Sequence, residues 1–195
     1  MKKLLITSII ILLSTSGMLF AQNGEQEIRD MLDQRDAQIK ELLGPRGTDY
    51  SQQQRDELKN IINDVIDYRE MAQHALGNKF DEISAEEREE FVDLFSTIIR
   101  DNSLNRLDIY RADVVYNDIS VTNGNAHVKT TAQLENVRTP VDYDLKKKGD
   151  EWVVVDLIID EVSTGDSYNR QFQSIIRQRG FDALLNNLRR RAERA

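Results

Sequence analysis

Asp156 stands in Trp152-Val153-Val154-Val155-Asp156-Leu157-Ile158-Ile159, a run in which every other residue is apolar. A carboxylate among hydrocarbon is costly unless it is paired, and such groups titrate at raised pKa and serve as general bases. One chemistry open to this chain is therefore that of a small cone-shaped α+β isomerase or hydrolase with Asp156 as its base. Other reactive groups give it little help. His127 falls on the polar side of an alternating strand, and His74 follows Gln73 on a helix, the common setting of an exposed or satisfied histidine. There is no cysteine, and no HExxH, GxSxG, Walker or CxxC pattern. Glu86-Glu87 and Glu89-Glu90 read as a solvated helix face. No cofactor and no metal are expected.

The apolar neighbours of Asp156 suggest a second chemistry. Successive strand residues face opposite sides of a sheet, so this run is apolar on both. In an antiparallel meander one face is ordinarily wet. Either both faces meet core, as in a plain adaptor filled by its own side chains, or one face lines a cavity for an apolar ligand. On the second reading Val155, Leu157 and Ile159 line the cavity, while Trp152, Val154, Asp156 and Ile158 pack beneath helices.

The flanking sequence supplies the elements that would position this strand. Lys2-Lys3, an apolar run Leu4 to Leu13, and the small and polar STSGMLFAQ have the layout of a secretory signal peptide cleaved after Ala21. The run is shorter than the roughly 20 apolar residues of a membrane span. Export without cysteine fits a bacterial periplasm. Residues 22–195 form one domain, with enough chain for a real core. Without Lys2 and Lys3, the 26 Lys and Arg fall to 24 against 34 Asp and Glu, a net charge of −10. That disfavours nucleic acid and direct adsorption to an anionic membrane.

Helical spacing runs through Ile28, Met31, Leu32, Ile39, Leu42 and Leu43, and again as one tract from Ser51 to Gly77. Ser84-Ala85-Glu86-Glu87 is a capping box opening a helix with Phe91, Leu94, Phe95, Ile98 and Ile99 on one stripe. The period then becomes two. Ala126 to Leu134 and Val141 to Leu145 alternate, with turns at Asn123-Gly124 and Lys148-Gly149-Asp150. Helices over 168–179 and 181–194 close the chain, broken at Gly180. The fold class is α+β: a curved four-stranded antiparallel sheet wrapped by N- and C-terminal helices. The basic tail Arg189-Arg190-Arg191-Ala192-Glu193-Arg194 reads as a helix end favoured by the dipole, or as a dock for an acidic partner.

The run DYREMAQHALGNKFDEISAEEREEFVDLF, followed by EWVVVDLIIDEVSTGDSYNRQFQSIIRQRGFDALLNNL, resembles the MlaC-like, toluene-tolerance family. The likeness spans nearly the whole mature chain. Its carriers are Leu76-Gly77, Ser84 through Phe91, Phe95, Trp152 to Asp156, Val162-Ser163, Tyr168, Phe172 and Gly180. The resemblance implies a sheet and helices around an apolar cavity, with no enzymatic activity. It also implies a phospholipid cargo, carried across the periplasm between an outer-membrane lipoprotein complex and an inner-membrane ABC transporter with an MCE-domain subunit. The chain departs from the family in having Glu161 where Gly usually precedes Val-Ser, Asn169 where Arg follows the Tyr, Phe80 in place of a frequent Trp, and Ser103 in place of an aromatic.

Such a cargo needs a carrier. Two acyl chains with roughly 30 methylenes, at about 0.8 kcal/mol each, would cost on the order of 24 kcal/mol to expose to water. The residues expected to bury them are Phe91, Phe95 and Ile98 on the helix and Val155, Leu157 and Ile159 on the strand. The resemblance adds Val162, Tyr168 and Phe172.

Overall fold

The computed structural model describes residues 16–104 and 107–194. Most of the expected leader, and the side chain at Ser103, lie outside the described residues. The order is α1 (Ser16–Leu43), α2 (Gln52–Asn63), α3 (Tyr68–Leu76), α4 (Lys79–Glu82), α5 (Ala85–Leu104) and a 3-10 helix (Leu107–Arg111). Strands β1 (Asp113–Thr122), β2 (Asn125–Leu134), β3 (Val137–Lys148), β4 (Glu151–Ile159) and β5 (Val162–Ser163) follow, then α6 (Thr164–Arg179) and α7 (Phe181–Ala192). The strands form one antiparallel sheet in sequential order, β1-β2-β3-β4-β5. The sheet therefore has a fifth, two-residue edge strand that alternation alone did not reveal.

Three apolar cores hold these elements. The first lies among the helices: Met71, Leu76, Phe80, Phe91, Phe95, Phe172, Leu184 and Leu188 from α3 to α7. The second joins Ile28 of α1 to Ala126, Val128, Leu145, Trp152 and Val154 on one face of the sheet. The third packs Ile39 and Leu43 of α1 on Leu58 and Ile62 of α2.

The helical tract expected over residues 51–77 is broken at its centre. Ser51 and Gln54 form a capping box at the start of α2, and Asp67 caps α3 by accepting from the Glu70 amide at 3.0 Å. Between them the chain turns at Asp64-Val65, and Ile66 bridges β4 at Val154. The Val154 amide donates to the Val65 carbonyl and the Asp67 amide donates to the Val154 carbonyl, both at 2.8 Å. Val65 and Ile66 fit a helical stripe, so the period shows no interruption there; the interruption comes from pairing with a strand almost ninety residues downstream.

β4 contains a β-bulge. Leu145 pairs with Val154 and Asp144 with Asp156, leaving Val155 without a partner. An inserted residue changes which face the following side chains occupy. Register shows the result. Val154, Leu145, Ala126 and Val121 lie in one row across the sheet, as do Leu157, Tyr143, Val128 and Ile119, and both rows face α1. The other face carries Asp156, Asp144, His127 and Ser120 in one row and Ile158, Asp142, Lys129 and Asp118 in the next. The expected division of β4 is thus corrected. Trp152, Val154, Leu157 and Ile159 share the inner face, Asp156 and Ile158 the outer, and the outer face is largely polar, with Asp156 buried against the start of α6.

Ion pairs fasten the helices to the sheet. Lys146 Nζ lies 2.6 Å from Glu70, and Lys148 Nζ lies 2.5 Å from Asp67 and 3.2 Å from Glu70. Burial pushes the Asp67 carboxyl up, but Lys148 and the Glu70 amide outweigh that and hold it below the ordinary carboxylate range. Glu27 of α1 accepts from both Lys147 Nζ (2.7 Å) and Trp152 Nε1 (3.0 Å). At the far end Arg189 Nη2 donates to Glu90 at 2.9 Å, so the first arginine of the basic tail ties α7 to α5.

Two tests follow from these features. Asp160 and Glu161, the two-residue turn from β4 to β5, both have positive φ, 51° and 64°. Asp tolerates that region and Glu does so poorly, so the family's usual glycine suits the backbone here. Glu161→Gly should stabilise the protein by about 0.5–1 kcal/mol, read as a rise of roughly 1–4 °C in thermal melting. Lys148→Ala should cost about 0.5–1 kcal/mol at neutral pH. Because the folded pKa of Asp67 is depressed, that contribution is present above the unfolded value of about 3.9 and is lost as pH falls through the folded one. The gap between wild-type and variant denaturation curves should therefore close below about pH 4.

Candidate lipid-binding site

The expected site residues separate into two groups. Phe91 and Phe95 are 0% exposed, Phe172 1% and Ile98 4%, all within the sealed helical core. Phe91 meets Phe172 edge-on at 5.7 Å between centroids, and Phe95 meets Tyr168 edge-on at 5.1 Å. Tyr168, half-buried, borders this cluster. These rings fill one another's space and leave no surface for a ligand.

The strand residues behave differently. Leu157 and Ile159 pair with Tyr143 and Val141 on β3, and Ile159 pairs onward with Val162 of β5. Cross-strand partners share a face, so Val141, Tyr143, Leu157, Ile159 and Val162 form one apolar strip on the inner side of the sheet. Leu157 is half-buried yet packs against none of the three cores among the described residues. Exposure grows along the strip, to 40% at Ile159 and 52% at Val162. The strip is enclosed at one end and open at the other. Val155, at the bulge, is set apart from it.

Four tyrosines that the sequence does not mark as site residues are wholly or partly buried, Tyr116 and Tyr143 against the core beneath α1 and Tyr110 against the core between α1 and α2. Tyr143 stands on β3 at the centre of the inner face. Burial pushes its phenol up to about 12, with further contributions from Tyr110, Asp36 and Asp142. Its side chain nevertheless keeps accessible surface. Tyr110 of the 3-10 helix is pushed up to about 12 by burial as well, and is also half-buried. Tyr116 on β1 is raised by burial and by its hydrogen bond to Asp33 Oδ1, 2.9 Å away on α1. Tyr68, at the first turn of α3, donates to Asn63 Oδ1, while the Arg100 guanidinium lies 4.7 Å from its ring centroid. Tyr143 reads in the sequence as one more apolar member of an alternating strand. Its neighbours become visible only when α1, β3 and the 3-10 helix are brought together.

Asp156 has a structural duty. It is 4% exposed, and its Oδ1 accepts from the Leu157 amide and the Gly165 amide, both at 2.9 Å. Oδ2 accepts from Ser163 Oγ, and that oxygen in turn caps α6 by accepting from the Asp166 amide at 3.0 Å. A buried carboxylate with these donors is occupied in closing the β4-β5-α6 corner. Gly165 follows from the same corner: a Cβ there would lie 2.8 Å from the His74 ring, which itself meets Asp166 at 2.8 Å. Asn169, where the family commonly has Arg, donates to the His74 and Ala75 carbonyls at 3.3 Å and so closes the end of α3.

A separate groove of about 520 Å³ lies between α1 and α2, lined by Met31, Gln34, Arg35, Gln38, Asn60, Ile61 and Asp64. Its lining is mostly polar, unlike the strip.

The fold has a solved counterpart. A phospholipid-binding protein from Ralstonia solanacearum, determined in complex with a phospholipid, matches with a TM-score of 0.71 at 20% identity, over 87% of this chain and 97% of that one. No curated protein matches. At the level of sequence, the MlaC protein family matches residues 33–190, from the middle of α1 through most of α7. The chain belongs to the MlaC family.

Proposed function

We propose that this chain is a non-catalytic, periplasmic phospholipid carrier, exported with residues 1–21 as its leader and exchanging its cargo with an outer-membrane lipoprotein complex and an inner-membrane ABC transporter bearing an MCE-domain subunit. The observation that carries this reading is the apolar strip from Tyr143 and Leu157 to Ile159 and Val162, closed at one end and open at the other. Membership in the MlaC family supports it, as does a fold shared with a protein that binds phospholipid. Apolar surface left uncovered favours a ligand by about 25 cal/mol per Å² buried. In this proposal Leu157, Ile159 and Val162 touch acyl chain. Phe91, Phe95, Ile98, Phe172 and Tyr168 act from behind, as the rigid body that holds α3 to α7 in place.

The direct test is the lipid content of the mature protein purified gently from a periplasmic extract, measured by native mass spectrometry and lipid extraction. One phospholipid per chain is expected, and lipid-free protein would count for the adaptor reading. Leu157→Glu puts a carboxylate on the strip, where residual access lets it hydrate. Lipid retention should fall at least tenfold while the melting temperature changes little. Phe95→Ala should do the reverse in kind, costing about 3–5 kcal/mol of stability by opening a hole in sealed packing.

Asp156→Asn separates the carrier from the isomerase or hydrolase reading. The amide replaces one acceptor with a donor facing donors, so stability should drop by about 1–3 kcal/mol. Lipid bound per folded molecule should stay near the wild-type level. A variant of unchanged stability that no longer acts on its ligand would restore Asp156 as a base.

A further inference from the structure

Among the described residues five large apolar side chains are exposed, Ile109, Val115, Val137, Ile159 and Val162, from 40% at Ile159 to 64% at Val137. Scattered singly they would carry no meaning. The strand register instead puts all five at one end of the sheet. Ile159 and Val162 lie in one row with Val141 and Thr130. In the next row outward Val115 pairs with Thr131 and Thr131 with Pro140, whose carbonyl accepts from the Asp160 amide at 2.9 Å. Val137 pairs with Leu134 at the β2-β3 turn beyond, and Ile109 precedes β1, its carbonyl accepting from the Ala112 amide at 3.2 Å. The opposite end of the sheet, with the turns at Asn123-Gly124 and Gly149-Asp150, exposes no large apolar side chain among the described residues. With strands about 4.8 Å apart, the apolar lip runs roughly 19 Å across the five strands, at the open end of the strip.

Resting on the carrier reading, we propose that this lip is a docking surface for a protein partner whose matching face is apolar at its centre and carries lysine or arginine opposite the β4-β5 turn. The charges at this end select that partner over a bilayer. Glu135 is paired with Arg46, Asp113 lies 3.7 Å from Lys40, and Arg111 donates to the Leu43 and Pro45 carbonyls. Asp49, Asp160 and Glu161 are left exposed and unpaired, against one arginine in the same state, Arg138. Two of those acids stand together in the turn between Ile159 and Val162. A basic protein surface complements them, whereas the anionic face of a bilayer repels them. The lip also lacks the amphipathic side chains that suit a headgroup layer. Its exposed members are all valine and isoleucine, and the chain's single tryptophan, Trp152, is buried in the core beneath α1. An apolar centre with a charged border is the anatomy of a protein interface.

The test is transfer of a fluorescent phospholipid from the loaded mature carrier to vesicles of phosphatidylethanolamine and phosphatidylglycerol that contain, or lack, the inner-membrane transporter with its MCE-domain subunit. Wild type should transfer much faster when the transporter is present. Val115→Glu and Val137→Glu lie on the lip but away from Leu157, Ile159 and Val162. Each should slow transfer to transporter vesicles by roughly tenfold or more, with lipid bound per carrier and melting temperature unchanged. Thr122→Glu, at the far end of β1, should have no effect. Asp160→Asn combined with Glu161→Gln should slow transfer to transporter vesicles by roughly threefold to tenfold at low salt and speed transfer to protein-free vesicles, both effects fading at about 0.5 M salt. Undiminished transporter-dependent transfer in both valine variants would overturn the proposal. So would wild-type transfer that the transporter does not accelerate, or an equal loss with protein-free vesicles, which would make the lip a bilayer contact. Those results leave lipid carriage standing, whereas a wild-type chain that takes up no phospholipid would overturn the carrier reading and the proposal together.

Discussion

The unpaired Val155 in β4 is the constraint on which the rest of the fold turns. A strand of seven apolar residues and one carboxylate, alternating without interruption, would drive Asp156 into the α1 core alongside Val154. The bulge spends one residue to move it out. On one side of the insertion Trp152 and Val154 build the core beneath α1. On the other, Leu157 and Ile159 return to the same face, while Asp156 reaches the Gly165 and Leu157 amides and the Ser163 hydroxyl at the start of α6. The clasp of Val65 to Asp67 on Val154 sits immediately before the insertion. It fixes the start of α3 against the sheet, and the helical core assembles outward from there.

The division of labour among the apolar residues follows. Five elements, α3 to α7, close on one another around stacked and edge-on aromatic rings, and need nothing from a ligand to do so. The inner face of the sheet is only partly used: α1 covers it at Ile28, Met31 and Leu32, and Leu157, Ile159 and Val162 at its β4-β5 edge stay outside the three cores among the described residues. A protein that must stay folded when empty and still hold an apolar molecule is well served by this separation. If the same residues did both jobs, release of the ligand would unmake the core.

Much of this was legible in the sequence, and what was not has specific causes. Periods of 3.6 and two placed α1, α5, the meander and the closing helices, and the capping box at Ser84 is formed, with the Glu87 amide donating to Ser84 Oγ at 3.2 Å. The break at Val65 to Asp67 was hidden because its residues also satisfy a helical stripe; a non-local hydrogen-bonded pair leaves no local mark. The bulge was hidden because the inserted residue is itself a valine. Asp156 was the one clue, since its polarity marks the change of phase, but a lone acid in an apolar strand reads equally as a base. The candidate residues were drawn from the most apolar segments, which favoured the sealed phenylalanines. Tyr143 and Tyr110 escaped because a tyrosine in an alternating or irregular segment looks the same whether it is buried or exposed.

The electrostatics at the open end bear on how cargo could be exchanged. The strip reaches solvent at Ile159 and Val162, and the two residues between them are Asp160 and Glu161, held outward in a left-handed turn. The chain as a whole carries a formal charge of −8. Under the proposed function, a mouth with two carboxylates on a negatively charged body would be repelled by a membrane rich in anionic lipid, at a cost on the order of 1 kcal/mol per charge brought near the surface. Spontaneous loading from the bilayer would then be slow, and insertion of tails into Leu157 and Ile159 would require a partner that brings the mouth up against lipid despite that field. On that proposal the same repulsion would keep a loaded carrier from discharging into whichever membrane it meets. Under the proposed function, acid at the mouth would make transfer depend on docking, and the backbone strain of a glutamate at φ 64° stands in the position where a glycine would remove one of those charges.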